Sequence, residues 1–91
     1  MNCFTATGHV KSAPERRVNA TTGRQTAIFI LDVEDEIFPG RSTYTVATID
    51  KPAEYVLARV GPGSEVFVQG RLRKQGDIVT IYAKQVRAFV R

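Results

Sequence analysis

Ninety-one residues, 43% of them hydrophobic, suffice for one small domain spanning 1–91. No apolar run approaches the roughly 20 residues of a membrane span and no charged-then-apolar leader opens the chain, which predicts a soluble, cytoplasmic protein without a membrane partner. A lone cysteine, Cys3, excludes an internal disulfide, a lone histidine, His9, excludes a zinc site built with it alone, and the formal net charge of +4 points to a polyanionic partner.

Asn2 to Val10 alternate, with Phe4, Ala6, Gly8 and Val10 on one side, which predicts a first strand. Pro14 and the run Glu15-Arg16-Arg17 interrupt it, and Asn19 to Gly23 is turn chemistry. Arg24 to Asp35 reads as a second strand with Ile28 and Ile30 on one face and Phe29, Leu31 and Val33 on the other. Both faces are apolar, so the second face asks for a ligand, a partner subunit or a covering segment. An acidic stretch and Phe38-Pro39-Gly40-Arg41 then make a connection with a strong turn signal.

Ser42 to Ile49, rich in Thr, Val and Tyr, predicts a third strand, with Tyr44 and Val46 pointing to the core. Asp50 is placed to cap a short amphipathic helix over Lys51 to Val60, whose apolar set is Tyr55, Val56, Leu57 and Val60. Gly61-Pro62-Gly63 stops that helix, because glycine accepts the left-handed region and proline cannot continue the ladder. From Ser64 the period becomes two: Val66, Val68 and Leu72 face the core, while Glu65, Phe67, Gln69, Arg71 and Arg73 face outward. Lys74-Gln75-Gly76-Asp77 closes a hairpin into a fifth strand, Ile78 to Ala88. There Val79, Ile81 and Ala83 alternate with Ile78, Thr80, Tyr82 and Lys84, and the phase slips near Gln85 to Val86, Ala88 and Val90, which predicts a bulge. Three strands, a helix and two strands make an all-β fold, a five-stranded OB-fold barrel with one short helix between strands 3 and 4.

Catalytic and cofactor chemistry find no support. Asp32, Glu34, Asp35 and Glu36 lack the spaced oxygen ligands and bend glycine of a calcium loop, and read as a solvated rim. His9 and Cys3 stand about 20 Å apart on one strand, too far for a nucleophile and its base. With those four acids set aside, the rest of the chain carries +8 (+4 less −4). A single-strand binder pairs cations for phosphate with rings for stacking. The nucleic-acid-binding candidates are Phe67, Arg71, Arg73 and Lys74 on the fourth strand, Tyr82 and Lys84 on the fifth, and Lys11, Arg16, Arg17 and Arg24 around the first connection. Phe29 is divided between a subunit contact and a base platform, and Phe38 is a further stacking candidate.

Ala53-Glu54 in a helix, followed by Gly63-Ser64-x-Val66-Phe67-Val68-x-Gly70-x-Leu72-Arg73, resembles the helix and fourth strand of the bacterial single-stranded DNA-binding protein (SSB) family. Gly8, Pro14, Glu15, Arg17, Gly23, Ile28 and Ile30 fit that family's first two strands, so the resemblance covers nearly the whole chain. It implies sequence-tolerant binding of single-stranded DNA in replication, recombination or repair, as a nucleoid-associated homodimer or homotetramer. The chain departs from the pattern at Thr43, Ile49 and Glu36, which stand where the family commonly presents stacking aromatics; it also has no tryptophan, and the family's acidic tail is not expected after Arg91. VQGRL and AKQV are similar to strands of primosomal replication protein N (PriB), a shortened OB dimer, and imply an alternative role as an adaptor for replication or restart proteins. Stacking and phosphate contacts do not by themselves separate DNA from RNA.

Overall fold

The computed structural model describes residues 3–34 and 41–89. Phe38, Asp35, Glu36, the Pro39-Gly40 turn and Val90 therefore lie outside the described residues. The elements are β1 (Phe4–Val10), β2 (Glu15–Val18), β3 (Gln25–Glu34), β4 (Arg41–Ile49), α1 (Lys51–Arg59), β5 (Glu65–Gln75) and β6 (Ile78–Ala88). β1 and β2 are two limbs of one bent strand, parted around Pro14, which has no N–H to give a ladder. The sheet order is β1-β5-β6-β4-β3-β2, and β1 also pairs with β3 through His9↔Asp32 and Val10↔Leu31. That last pairing closes the sheet into a five-stranded OB barrel. All ladders are antiparallel except β4–β6.

The apolar period-two sets of the sequence meet in the interior. Val10, Ala27, Phe29, Leu31, Val46, Val66, Val68, Ile81 and Val86 are buried, and α1 contributes Ala53 and Val56 where it packs against β3, β4 and β6. Tyr44 is half-buried against this core with its ring 5.5 Å from that of Phe4, as its alternation with Val46 predicts. Thr48 is a polar residue in the wall, and its Oγ1 donates to the Ala27 carbonyl at 3.0 Å, which satisfies the hydroxyl.

Two glycines let strands approach closely. A Cβ on Gly8 would overlap the Asp32 carbonyl oxygen where β1 meets β3, and one on Gly70 would overlap the Tyr82 carbonyl oxygen of β6. Opposite Gly70 lies the predicted bulge: Gln69 pairs with Gln85 but Gly70 pairs with Ala83, so Lys84 is the extra residue of β6. Ile81 and Ala83 before the slip, and Val86 after it, thereby all reach the core.

The helix start differs from expectation. Asp50 occupies the cap position with φ 62 and ψ −122, and its side chain makes no capping hydrogen bond. Its carboxylate turns instead to the Arg24 guanidinium at 3.6 Å, while its carbonyl accepts the first helical bond from Glu54 N at 3.0 Å.

Candidate nucleic-acid interface

The outward face of the barrel is assembled by register. Ile28, Ala47, Tyr82 and Arg71 stand opposite one another across β3, β4, β6 and β5, and Ile30, Thr45, Thr80 and Arg73 form the next row. Neighbouring strands lie about 4.8 Å apart, so each row sets its side chains side by side across the face. β4 supplies Thr43, Thr45, Ala47 and Ile49 to this face because its other parity, Tyr44 and Val46, is committed to the core.

Two hollows flank Tyr82, which is 37% exposed. One, of about 510 Å³, has Ala47, Ile49, Pro52 and Ala83 as its apolar floor and Arg71, Tyr82 and Lys84 around it. The other, of about 300 Å³, lies between Arg71, Leu72, Arg73 and Tyr82. Arg71 and Tyr82 border both, so the hollows form one trough with a ring at its middle. Arg71, Arg73 and Lys84 are exposed, no carboxylate lines either hollow, and none of the three is ion-paired with a described acid. Cations with no described acid beside them, an apolar floor and a partly exposed ring are groups suited to attract phosphate and accept an unstacked base.

The structure therefore brings together Arg71, Arg73, Tyr82 and Lys84 and separates the other sequence candidates from them. Lys74 is exposed one residue beyond Arg73, opposite Val79 and of the other strand parity. Phe67 is half-buried between Thr7 and Arg87, four residues from Arg71 and about 13 Å along β5, away from the trough. Phe29 is corrected outright: it is 2% exposed, opposite Val46, and has no face to offer a base. β3 turns Ala27, Phe29 and Leu31 into the barrel, so the face left half-buried outside is that of Ile28 and Ile30.

The first basic set is exposed but dispersed. Arg17 Nε contacts Glu15 at 3.2 Å and Arg24 contacts Asp50 at 3.6 Å, which offsets their charge locally. Arg17 stands opposite Thr26, and Thr26 opposite Ile49, so it continues the outward face two strands beyond the trough, about 10 Å away. Lys11 and Arg16 lie at the broken first strand, Arg16 opposite the core residue Ala27. The floor residues Ile49 and Pro52 were absent from the sequence candidates. The alternation of β4 carries the signal for Ile49, whereas nothing local points to Pro52.

No protein-family model matches the chain, and no curated protein matches it significantly by sequence. Solved structures do match in fold. The SSB domain of a Synechococcus sp. protein superposes with a TM-score of 0.82 at 23% identity, covering 94% of this chain and 93% of that one. The second single-stranded DNA-binding protein (SSBb) of Mycobacterium smegmatis gives 0.85 at 23% identity over 96% of this chain and 87% of that one. The small single-stranded DNA-binding protein of Streptomyces coelicolor gives 0.82 at 23% identity over 97% and 92%. At such identities the likeness is one of fold.

Proposed function

We propose that this chain is a single OB domain that binds single-stranded DNA without reading its sequence, serving replication, recombination or repair as a homodimer or homotetramer. The observation that carries the reading is the trough around Tyr82, with three cations that pair with no described acid and no carboxylate among its lining residues. Its chemistry suits the ligand: Arg71, Arg73 and Lys84 hold phosphates, and Tyr82 offers a π-face that any base can use, worth about 1–3 kcal/mol per stack. The structural likeness to three proteins named for single-stranded DNA binding supports the same reading.

Titration of fluorescent dT oligomers at about 50 and 200 mM salt tests it. Neutralising three phosphates gives a slope near −2 in log K against log salt, or about 18-fold weaker binding at the higher salt. A parallel series with rU separates DNA from RNA preference. The outward positions of β4, Thr43, Thr45, Ala47 and Ile49, carry no ring, which favours the adaptor role as the second reading. Absence of oligomer binding, together with direct binding to a purified replication-restart protein, would replace the first reading by the second.

A further inference from the structure

A third hollow lies around the corner from the trough, between α1 and β6. It measures about 530 Å³ and is bordered by Lys51, Pro52, Tyr55, Lys84, Val86 and Arg87. Pro52 and Lys84 border both this hollow and the larger part of the trough, so the two are continuous. The bulge makes this possible. With Lys84 inserted as an extra residue opposite Gly70, β6 places Lys84 at the junction and Arg87 farther along while Val86 still reaches the core.

The walls of this hollow are held in place. Tyr55 Oη accepts a hydrogen bond from the Ala88 backbone N–H at 2.9 Å, which ties the ring of α1 to the strand it faces. Lys51, Lys84 and Arg87 are all exposed at its rim, and no acid lines it. Of the acids at and near the start of α1, Asp50 is paired with Arg24 at 3.6 Å and Glu54 is not part of the lining. A polyanion leaving the trough past Lys84 thus meets two further cations across a groove already open.

Resting on the function proposed above, we infer that the groove between α1 and β6 is a second phosphate-binding subsite, held by Lys51 and Arg87. A single strand seated at Tyr82 continues over Pro52 into it. Continuity with the trough and the uniform sign of its charges favour this occupant. The subsite lengthens the footprint beyond the part of the strand that Tyr82, Arg71 and Arg73 engage.

The test uses the K51Q/R87Q double variant of the full chain with dT oligomers stepping from about 4 to about 16 nucleotides, the range of single-strand footprints per OB fold. Wild type should gain salt slope with length. The variant should match wild type on the shortest oligomers and lose about 1.4 in slope on the longest, two contacts at about 0.7 each. Its deficit on long oligomers should then be about sevenfold larger at 50 mM than at 200 mM salt. Equal slopes for variant and wild type at every length overturn the subsite while leaving the trough in place. A loss that is the same at every length also overturns it, since the residues then act on the first contact. Failure of wild type to bind any oligomer removes the parent reading, and the subsite with it.

Discussion

Gly70→Ala tests whether the approach of β5 to β6 is as tight as the register requires. The added Cβ would lie 2.7 Å from Ala83 Cα and 2.8 Å from the Tyr82 carbonyl carbon, besides overlapping the carbonyl oxygen. Carbon atoms rest about 3.5–4.0 Å apart, so the strands must separate by most of an ångström. All three obstructing atoms are backbone, and the ladder of the long hairpin holds them, so no side chain can swing aside. Overpacking costs about 1–3 kcal/mol where neighbours can relax; with backbone on the far side the upper end, about 3 kcal/mol, is expected. In a domain of this size that lowers Tm by about 12–24 °C. Thermal melts followed by far-UV circular dichroism measure it, at one fixed protein concentration because self-association moves Tm. Gly61→Ala is the control, since nothing lies within 4 Å of its added Cβ, and it should stay within about 0.5 kcal/mol of wild type. A Gly70→Ala protein melting within about 4 °C of wild type would refute the close approach, and with it the bulge geometry that orients Lys84.

Three further outcomes follow from named contacts. Phe29→Ala should cost about 3–5 kcal/mol in urea unfolding, as a core cavity does; a change under about 0.5 kcal/mol would return the ring to the surface. Tyr82→Ala should weaken dT binding by about 5- to 150-fold, one stack of about 1–3 kcal/mol, with the urea midpoint unchanged; undiminished affinity would move the stacking site elsewhere. Asp50, at φ 62, holds a conformation costing about 1–3 kcal/mol for a residue with a Cβ, and its ion pair with Arg24 is solvent-exposed and worth about 0–1 kcal/mol. Asp50→Gly should therefore exceed Asp50→Ala in stability by about 1 kcal/mol after glycine's chain entropy is subtracted, read as a Tm difference of about 4–8 °C. Equal melting of the two variants would mean that the positive φ carries no strain.

Most of the elements were legible in the chain; β2 was not, because the charged run Glu15-Arg16-Arg17 after Pro14 reads as an interruption and becomes a strand only by pairing with β3. Alternation at Val66, Val68 and Leu72, helical spacing over Lys51 to Val60, the Gly61-Pro62-Gly63 stop and the phase slip beside Gln85 each reappear in the structure. These signals are local: a period of two or 3.6 is set by neighbours along the chain, and a bulge shows as a break in that period. The choice between the two apolar faces of β3 was not local. Closure of β1 onto β3 at Val10↔Leu31, and the packing of α1 on the same strand, send Phe29 inside and leave Ile28 and Ile30 outside.

The binding site divides in the same way. Arg71, Arg73, Tyr82 and Lys84 could be grouped from strand parity within one hairpin, because a tight turn makes their pairing nearly a sequence property. Ile49 and Pro52 join them only through the parallel contact of β4 with β6, between residues more than thirty positions apart. Arg24 carries the same formal charge as Arg71, yet folding sets it beside the Asp50 carboxylate, twenty-six positions away, and leaves Arg71 facing an open trough. Charge and periodicity belong to the chain, whereas which charges stay uncompensated, and which surfaces meet, is decided by long-range closure of the barrel.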